Sequence, residues 1–516
     1  MNSGTNDNRR IEMPSHHRKL KTENRKPLYF GRIIAFCLLG LLITALTGCA
    51  VGPDYQRPKA MVPETWAGVP KAAGPEESKA NIKPIELIEW WTAFNDPLLT
   101  SLVERAIDAN LDVKLAESRI RQARAAAGVA GAGLWPRLDA KTLYKRSMGS
   151  SESVSSSGAS AISTTPGLRE LFQVGLDASW EIDIFGGLRR NLEAAGADLE
   201  AAVEDRRDVL VTLVGELGNN YLNLRGFQQQ VAIARKNLEA QKRTAEITRQ
   251  RWEAGFISAL DVDQAQAQVA TTESQIPVFE SAARLAIYTL SLLLGREPAT
   301  LLPELVTDKP IPPTPPEVPV GLPSELLRRR PDIRRVEAQI HAATARIGVA
   351  TADLFPKFAL TGSFGLSSSE FTKVTTWNSK YWSFGPAITW PVFAGGRIRW
   401  NIKVQEALQE QSLLSYEKTI LTALKDVESV LVAYAKEQQR RQSLVEAVTK
   451  NRKAVDRAMQ LYTVGRTDFL NVLIAQRSLF TSEDAWVQST RTVDTNLIAL
   501  YKALGGGWEN KSNGKK

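Results

Sequence analysis

Cysteine and histidine, the residues that most often bind metals or act as nucleophiles, are scarce in this chain of 516 residues. It has two cysteines, Cys37 and Cys49, and three histidines, His16, His17 and His341. A single histidine beyond residue 49 provides neither the ligand set of a zinc site nor the partner set of a serine triad. The sequence also shows no nucleophile elbow and no phosphate-binding loop, so it does not predict an enzyme.

The chemistry that the residues do indicate is acylation of Cys49. Eight Lys or Arg residues precede an apolar run of 14 residues, which is too short to span a membrane comfortably. The run ends in Leu46-Thr47-Gly48-Cys49, which resembles the bacterial lipobox, where the cysteine is acylated and becomes the mature N-terminus. We therefore expect diacylglycerol and an N-acyl chain on Cys49 and no other cofactor. The alternative is a plain signal peptide or a short anchor.

The net charge of +9 depends largely on the N-terminus, which holds eight basic and three acidic residues and accounts for +5 of it. The rest of the chain is close to neutral and has no basic stripe, so no nucleic-acid partner is predicted. His341 lies in an Ala-rich helical stretch and is interpreted as a helix-surface or interface residue.

Many residues of the first half recur in order in the second half, which indicates an internal repeat. At an offset of 210, Trp180, Gly186, Gln250, Gly255 and Gly295 recur as Trp390, Gly396, Gln460, Gly465 and Gly505. At an offset of 220, Asp112, Glu117, Gly128 and Pro136 recur as Asp332, Glu337, Gly348 and Pro356. The ten extra residues of the first copy lie between Pro136 and Trp180, and we assign them to the serine-rich tract 147–163.

Strict alternation of apolar and polar residues from Phe172 to Ile184 predicts a strand. The second half predicts two more, one through Phe358 to Leu366 and one through Trp382 to Val392, and Leu138 to Arg146 is a weaker fourth. Lipid-facing and water-facing residues alternate in this way in a transmembrane β-barrel. The alternative is an antiparallel sheet on a soluble core. Because four strands cannot close a conducting barrel, membrane strands would require several chains.

Each strand pair precedes a proline-free helical segment of about 65 residues, roughly 100 Å long if helical throughout. Apolar residues in these segments step by three and four positions, which is coiled-coil spacing. Each segment ends at a glycine, Gly255 or Gly465, and an apolar-periodic helix returns from it. These patterns predict two helical hairpins with their tips far from the strands. A coiled-coil rod is the alternative.

These patterns divide the chain into six parts. The parts are a lipoprotein signal peptide (1–48), an N-terminal arm (49–95), repeat 1 (96–296, strand pair at about 138–184), a proline-rich linker (297–322), repeat 2 (323–504, strand pair at about 357–393) and a polar tail (505–516).

Four landmarks together resemble the lipidated outer-membrane efflux proteins of the OprM/NodT type. These landmarks are the opening Leu46-Thr47-Gly48-Cys49-Ala50-Val51-Gly52-Pro53-Asp54-Tyr55, Glu89-Trp90-Trp91 with Asp96-Pro97-Leu98, Arg329-Arg330-Pro331-Asp332-Ile333, and Val464-Gly465 with Val472-Leu473 and Ala475-Gln476. The resemblance covers nearly the whole chain after the signal peptide.

The resemblance implies a mostly α fold with a membrane β part, assembled as a homotrimer like TolC. Each protomer would give four strands to a shared β-barrel and long helices to a periplasmic α-barrel. The trimer would be the outer-membrane exit channel of a tripartite pump for drugs, toxic compounds or metal ions. A periplasmic adaptor would join it to an inner-membrane transporter of RND type. The alternatives are an outlet for type I protein secretion and a non-conducting, lipid-anchored coiled coil.

The resemblance also implies that the two hairpin tips close the periplasmic mouth and contact the adaptor. The tip residues are Gly255, Leu260, Asp261, Asp263, Gly465, Arg466, Asp468, Leu470 and Ile474. Where the family commonly has Leu-Asp-Ala-Gln, this chain has Leu473-Ile474-Ala475-Gln476. A ring of Ile474 side chains would close the pore by apolar packing or dewetting. Asp261 would pair with Arg466 across a subunit contact, the alternative being solvated surface charges.

Overall fold

A computed structural model describes residues 50–67, 79–81, 88–148, 168–315, 317–319 and 321–509, with backbone alone at 79–81 and 317–319. The predicted signal peptide, Cys49 and most of the serine-rich tract lie outside these residues. The first repeat contains long helices and one strand pair, after a short strand in the arm. Its elements are β1 (Lys79–Asn81), α1 (Pro97–Ala109), α2 (Leu111–Ala132), β2 (Arg137–Met148), β3 (Leu168–Ile182), α3 (Gly187–Glu253) and α4 (Ala259–Leu293).

The linker and the second repeat continue this series. Their elements are α5 (Leu302–Leu305), β4 (Glu317–Pro319), α6 (Pro323–Arg329), α7 (Pro331–Ala352), β5 (Lys357–Ser368), β6 (Lys380–Thr389), α8 (Arg397–Thr463) and α9 (Phe469–Ala503). The proline-rich linker includes the short helix α5, and its strand β4 pairs in parallel with β1 of the arm.

The internal repeat is present in the structure as matched element lengths. The helices α3 and α8 each have 67 residues, α4 and α9 each have 35, and α2 and α7 each have 22. The junction between helix and strand is matched as well. The indole of Trp180 donates to the carbonyl of Leu134, and the indole of Trp390 donates to that of Leu354, both at 3.0 Å. Each tryptophan satisfies a carbonyl just beyond a helix end, which lacks an intrahelical partner.

Two elements end at polar side chains that accept hydrogen bonds from the backbone. Helix α1 ends before Asn110, whose carboxamide oxygen accepts from the amides of Asp112 and Val113 and so begins α2. The strand predicted to reach Ile184 ends at Ile182. The next residue, Asp183, accepts from the first amides of α3.

The four long strands form one antiparallel sheet in the order β2-β3-β5-β6. Directly opposed residues share a face of such a sheet. One row of opposed residues is apolar, with Ala140, Leu176, Phe364 and Trp382. The adjacent row on the other face is polar, with Asp139, Asp177, Ser363 and Ser383. The strand predicted to reach Val392 ends at Thr389, and β2 and β6 form the two open edges of the sheet.

The helices form a curved layer in which α2 packs on α3, α3 on α7, and α7 on α8. The hairpins α3/α4 and α8/α9 extend from this layer, and α9 also packs on α3. The largest hydrophobic core lies where the hairpin helices meet α1 and the aromatic residues of the arm. Its most buried members include Trp90, Phe94, Leu99, Leu102, Leu217, Tyr221, Leu290, Val493, Leu497 and Ile498.

The start of the described chain is fixed against both repeats. The amide of Val51 donates to the carbonyl of Phe185 at 3.0 Å, just after β3. Gly52 has φ of +90° and lies so close to Gly348 of α7 that an added Cβ would be 2.5 Å from its Cα. The Tyr55 ring stacks on His341 at 4.5 Å between centroids. We call residues 50–57 the strap, because they cross from the sheet onto α7.

A buried carboxyl group lies where the linker meets the hairpins. Asp494 of α9 is 0% exposed, and its Oδ1 accepts from Thr314 Oγ1 at 2.7 Å. Arg441 of α8 donates to the same hydroxyl at 3.0 Å, whereas Asp494 Oδ2 has no hydrogen-bond partner among the described residues. Burial raises the pKa of Asp494 to about 7, an effect that Thr314 and Arg441 partly offset. The ionised form is therefore costly in the folded protein.

We expect Asp494→Asn to stabilise the protein at pH 8 and to have little effect at pH 5. The folded protein binds a proton at Asp494 that the unfolded chain releases, so wild-type stability falls as pH rises from about 4 to about 7. The amide is neutral throughout. Thermal unfolding in detergent should show a Tm increase of ~2 °C or more at pH 8 only. Asp456→Asn, at an exposed site of α8, should show no such pH dependence.

Candidate functional site

The two hairpin tips have the same backbone geometry. Gly255 and Gly465 have φ of +79° and +73°, a conformation that favours glycine. Each glycine amide donates to the carbonyl three residues earlier, at 2.8 and 2.9 Å. The next amide, of Phe256 or Arg466, donates five residues back, at 2.9 and 2.8 Å. This is the Schellman pattern that ends a helix at a left-handed glycine, and it turns α3 into α4 and α8 into α9.

A side chain of the first hairpin contacts the second hairpin beside its turn. The Arg251 guanidinium lies over the Tyr462 ring, 4.7 Å from its centroid, and donates to the carbonyl of Tyr462. The Tyr462 hydroxyl donates to Thr248 Oγ1 at 3.3 Å, and Tyr462 is 1% exposed. Because Arg251 also lies beside Gly465, the end of α3 is tied directly to the turn of the other hairpin.

Polar side chains continue this connection away from the tips. Gln476 of α9 donates to Thr244 Oγ1 of α3 at 2.9 Å. Farther along, Glu483 of α9 is 5% exposed, accepts from Asn237 Nδ2 at 2.8 Å and pairs with Arg452 at 2.6 Å. A buried carboxylate with two donors fixes α9 between α3 and α8. The hairpins are therefore held together by directional contacts and not by apolar packing alone.

The apolar residues predicted at the tips are exposed in the single chain. Leu260 is 61% exposed, and Leu470 and Ile474 are each 53% exposed. Their neighbours Val262 and Val472 are buried in the hairpins, so the tip helices have one packed face and one open apolar face. Exposed apolar side chains gathered at one end of a molecule are typical of a contact surface.

The predicted tip charges have no ion-pair partner within the described chain. Asp261 lies in the first turn of α4, where the helix N-terminus favours a negative charge, and Ser258 Oγ is 3.5 Å from its carboxylate. Asp263, Arg466 and Asp468 are exposed. The structure does not bring Arg466 to Asp261 within one chain. Their pairing across a subunit contact stays a prediction.

Sequence reasoning did not find the Arg251–Tyr462 contact. Tyr462 carried a signal, since it occupies an apolar position of α8 beside the turn glycine. Arg251 carried none, because an arginine next to the exposed Trp252 looks like any other surface charge of a long helix. Only the packing of one hairpin on the other brings the two together.

Metal-binding clusters and membrane-spanning helices are the remaining features that could define a site. Among the described residues, no group of three or more His, Cys, Asp or Glu side chains could hold a metal ion. One described helix, α4, is long and apolar enough to cross a membrane by length and composition. It is also the return arm of the first hairpin and packs along α3.

Comparison with known proteins gives a consistent result. The sequence matches the family described as outer membrane efflux protein over residues 102–296 and 322–506. The pyoverdine export outer membrane protein OpmQ of Pseudomonas aeruginosa is 35% identical over 483 residues, which cover 93% of this chain and 98% of OpmQ. The probable outer membrane lipoprotein SilC of Salmonella typhimurium is 31% identical, with 90% of this chain and 97% of SilC covered.

The fold is similar to that of solved channels as well. The structure described as the outer-membrane channel OprN matches with a TM-score of 0.81 and 34% identity, covering 89% of this chain and all of that one. Two family matches, one in each repeat, agree with long helical hairpins attached to a small antiparallel sheet. These features define an outer-membrane channel made of tandem repeats.

The chain belongs to the outer membrane efflux protein family. The expected class is thereby confirmed: a mostly helical protein with a membrane β part and an internal repeat. The expected location in the outer membrane and the role in efflux are confirmed by the same matches. The hairpin tips are therefore parts of a channel protein.

We expect Arg251→Ala to increase the open probability of the purified protein in planar bilayers. The substitution removes a cation–π contact and a charged hydrogen bond, worth together roughly 1–3 kcal/mol. A tenfold change corresponds to about 1.4 kcal/mol, so several-fold more frequent openings should be seen. Arg249→Ala is the matched control, because among the described residues Arg249 pairs with Glu246 and Glu253 of its own helix alone. Equal open probability of both variants would show that the contact does not hold the tips closed.

Proposed function

We propose that this protein is the outer-membrane exit channel of a tripartite efflux system and passes small molecules to the outside. The observation that carries the proposal is that the sheet and the helical layer of one chain are both open at their edges. Its four-stranded sheet ends in two open edges, β2 and β6, and its helical layer ends in α2 and α8. Membrane strands require every backbone group to be paired, so further copies must close the sheet.

The repeat indicates how the copies would join. Within the chain, β3 of repeat 1 pairs with β5 of repeat 2 along eleven residue pairs. The equivalent joint between copies places β6 of one copy beside β2 of the next. We propose a homotrimer with twelve strands in one shared barrel and six repeats in the periplasmic α-barrel. Such a ring has no free strand edge.

The partners we propose are a periplasmic adaptor at the hairpin tips and an inner-membrane transporter, of RND type, that supplies the energy. The exposed apolar tip residues Leu260, Leu470 and Ile474 suit such a contact. The chain itself would carry no catalytic site, since a passive outlet needs none. Export of a small molecule is favoured by the 35% identity to a pyoverdine export protein.

We propose that the same tips form the periplasmic gate of the trimer. Near the threefold axis, Ile474 would close the pore by apolar contact. Asp261 would pair with Arg466 of the neighbouring copy, while Asp263 and Asp468 would face the mouth or the adaptor. Gly255 and Gly465 would shape the turns that carry these residues.

We also propose that Cys49 carries lipid in the outer membrane. The next residues support this, because Val51 hydrogen-bonds to Phe185 at the end of β3. The chain therefore emerges beside the membrane sheet, where acyl chains would enter the bilayer. The 31% identity to a probable outer membrane lipoprotein agrees with the proposal.

Deletion of the gene should lower resistance to one or more small compounds, because cargo would then remain in the periplasm. The measurement is growth against panels of drugs, solvents and metal ions, together with assay of secreted protein. A wild-type copy should restore resistance, and a Cys49→Ser copy should restore neither palmitate labelling nor normal anchoring. Unchanged growth against every small compound with loss of a secreted protein would contradict efflux and favour type I secretion. Palmitate labelling of the serine form would contradict the lipid assignment.

A further inference from the structure

The contact between α3 and α7 inside the chain is a template for the contact between copies. We call it the internal interface. Arg190 of α3 is 6% exposed and lies across Gly348 of α7, where an added Cβ would be 2.8 Å from Arg190 Cγ. The glycine is thus what allows the arginine to lie flat on the helix.

The internal interface is also crossed by ion pairs. Three arginines of α7 contact carboxylates of α3 at short range. The pairs are Arg346 with Asp198 at 2.5 Å, Arg334 with Glu204 at 2.7 Å and Arg335 with Asp205 at 2.7 Å. Glu204 is 2% exposed, so its carboxylate needs these cations to be buried there.

Each residue of the internal interface has an equivalent in the other repeat, on one of the two open faces of the helical layer. Arg190 of α3 corresponds to Trp400 of α8 at the offset of 210, and Gly348 of α7 corresponds to Gly128 of α2 at the offset of 220. Both positions are open in the single chain. Trp400 is 73% exposed, and a Cβ added to Gly128 would meet nothing within 4 Å.

The ion pairs are not preserved at the equivalent positions. Asp198 corresponds to Leu408, and its partner Arg346 corresponds to Ala126. Glu204 corresponds to Leu414, which is 57% exposed, and Leu408 is 43% exposed. The open face of α8 is therefore apolar at two of the three positions where the equivalent face of α3 is acidic. The third, Asp205, corresponds to Ser415, and Arg334 corresponds to Lys114 of α2.

The strap explains why Trp400 is larger than its equivalent, Arg190. Arg190 is covered by the strap, since it donates to the carbonyl of Val51 and pairs with Asp54 at 2.5 Å. The strap is the N-terminal segment of repeat 1, and among the described residues no second strap covers the equivalent place on α8. An indole at Trp400 can fill the space that a guanidinium and a strap fill together at the internal interface.

We propose that Trp400 of one copy packs over Gly128 of the next copy, with Leu408 on Ala126 and Leu414 on the aliphatic stem of Lys114 below it. This inference rests on the proposed ring of copies and adds the contact that joins them. It also explains why α8 meets α2 of the next copy. On α7, Arg346 would face Leu408 without its carboxylate, whereas the corresponding residue of α2, Ala126, has no charge to satisfy.

Disulfide crosslinking in native membranes tests the contact. In a full-length chain with Trp400→Cys and Gly128→Cys, oxidation should link copies, because the Cβ atoms would lie within disulfide range. We expect at least a tenfold excess of linked chains over either single substitution on a non-reducing gel. Trp400→Cys with Val129→Cys is the matched control, since one residue along a helix points about 100° away.

A second pair tests the same interface while leaving Trp400 and Gly128 in place. Leu408→Cys with Ala126→Cys should also link copies through a short bis-maleimide, because their internal equivalents meet through the long side chain of Arg346 and so lie too far apart for a direct disulfide. If neither pair links although the protein has the mass of a closed oligomer, the interface is wrong and the proposed channel stands. If the Val129 control links as well as the Gly128 pair, the contact is also wrong. Wild-type protein that has the mass of one chain would overturn both proposals.

Discussion

The unpaired edges of a four-stranded sheet are the constraint on which the rest of the structure depends. The outer strands β2 and β6 each leave one row of backbone amides and carbonyls open. In a lipid membrane such groups are too costly to leave without partners, and no fold of one chain of this design can supply them. Association of copies is therefore a requirement of the proposed channel, and the helical layer below the sheet must close with the same symmetry.

The tandem repeat meets this requirement with two kinds of interface. Each chain makes one ionic interface between its own α3 and α7, and in the proposed contact with its neighbours Trp400 and Leu408 of α8 meet Gly128 and Ala126 of α2 instead. Among the described residues, the strap covers the interface within the chain and not the equivalent place on α8. Nearly equal backbones thus carry different side chains, so a ring of six similar units assembles from three chains.

The periodicity of apolar residues predicted the strands and the long helices, because each kind of element has its own period. Alternation located the strands to within a few residues, and the proline-free apolar pattern located the two helices of 67 residues. The breaks came from side chains that compete for backbone hydrogen bonds, namely Asn110 and Asp183. The Arg251–Tyr462 contact had no such signal, because it depends on the register between two hairpins that lie far apart in sequence. The positions of the turn glycines were predictable from the sequence, but the side chains that contact each turn were not.

One chain supplies a third of the proposed closed ring. Native mass spectrometry of the full-length protein, released from detergent micelles at low collision energy, measures this copy number. We predict a single dominant species of three chains that survives dilution, since every strand edge is then paired. A species of one chain under the same conditions, with the sheet still folded by circular dichroism, would contradict it.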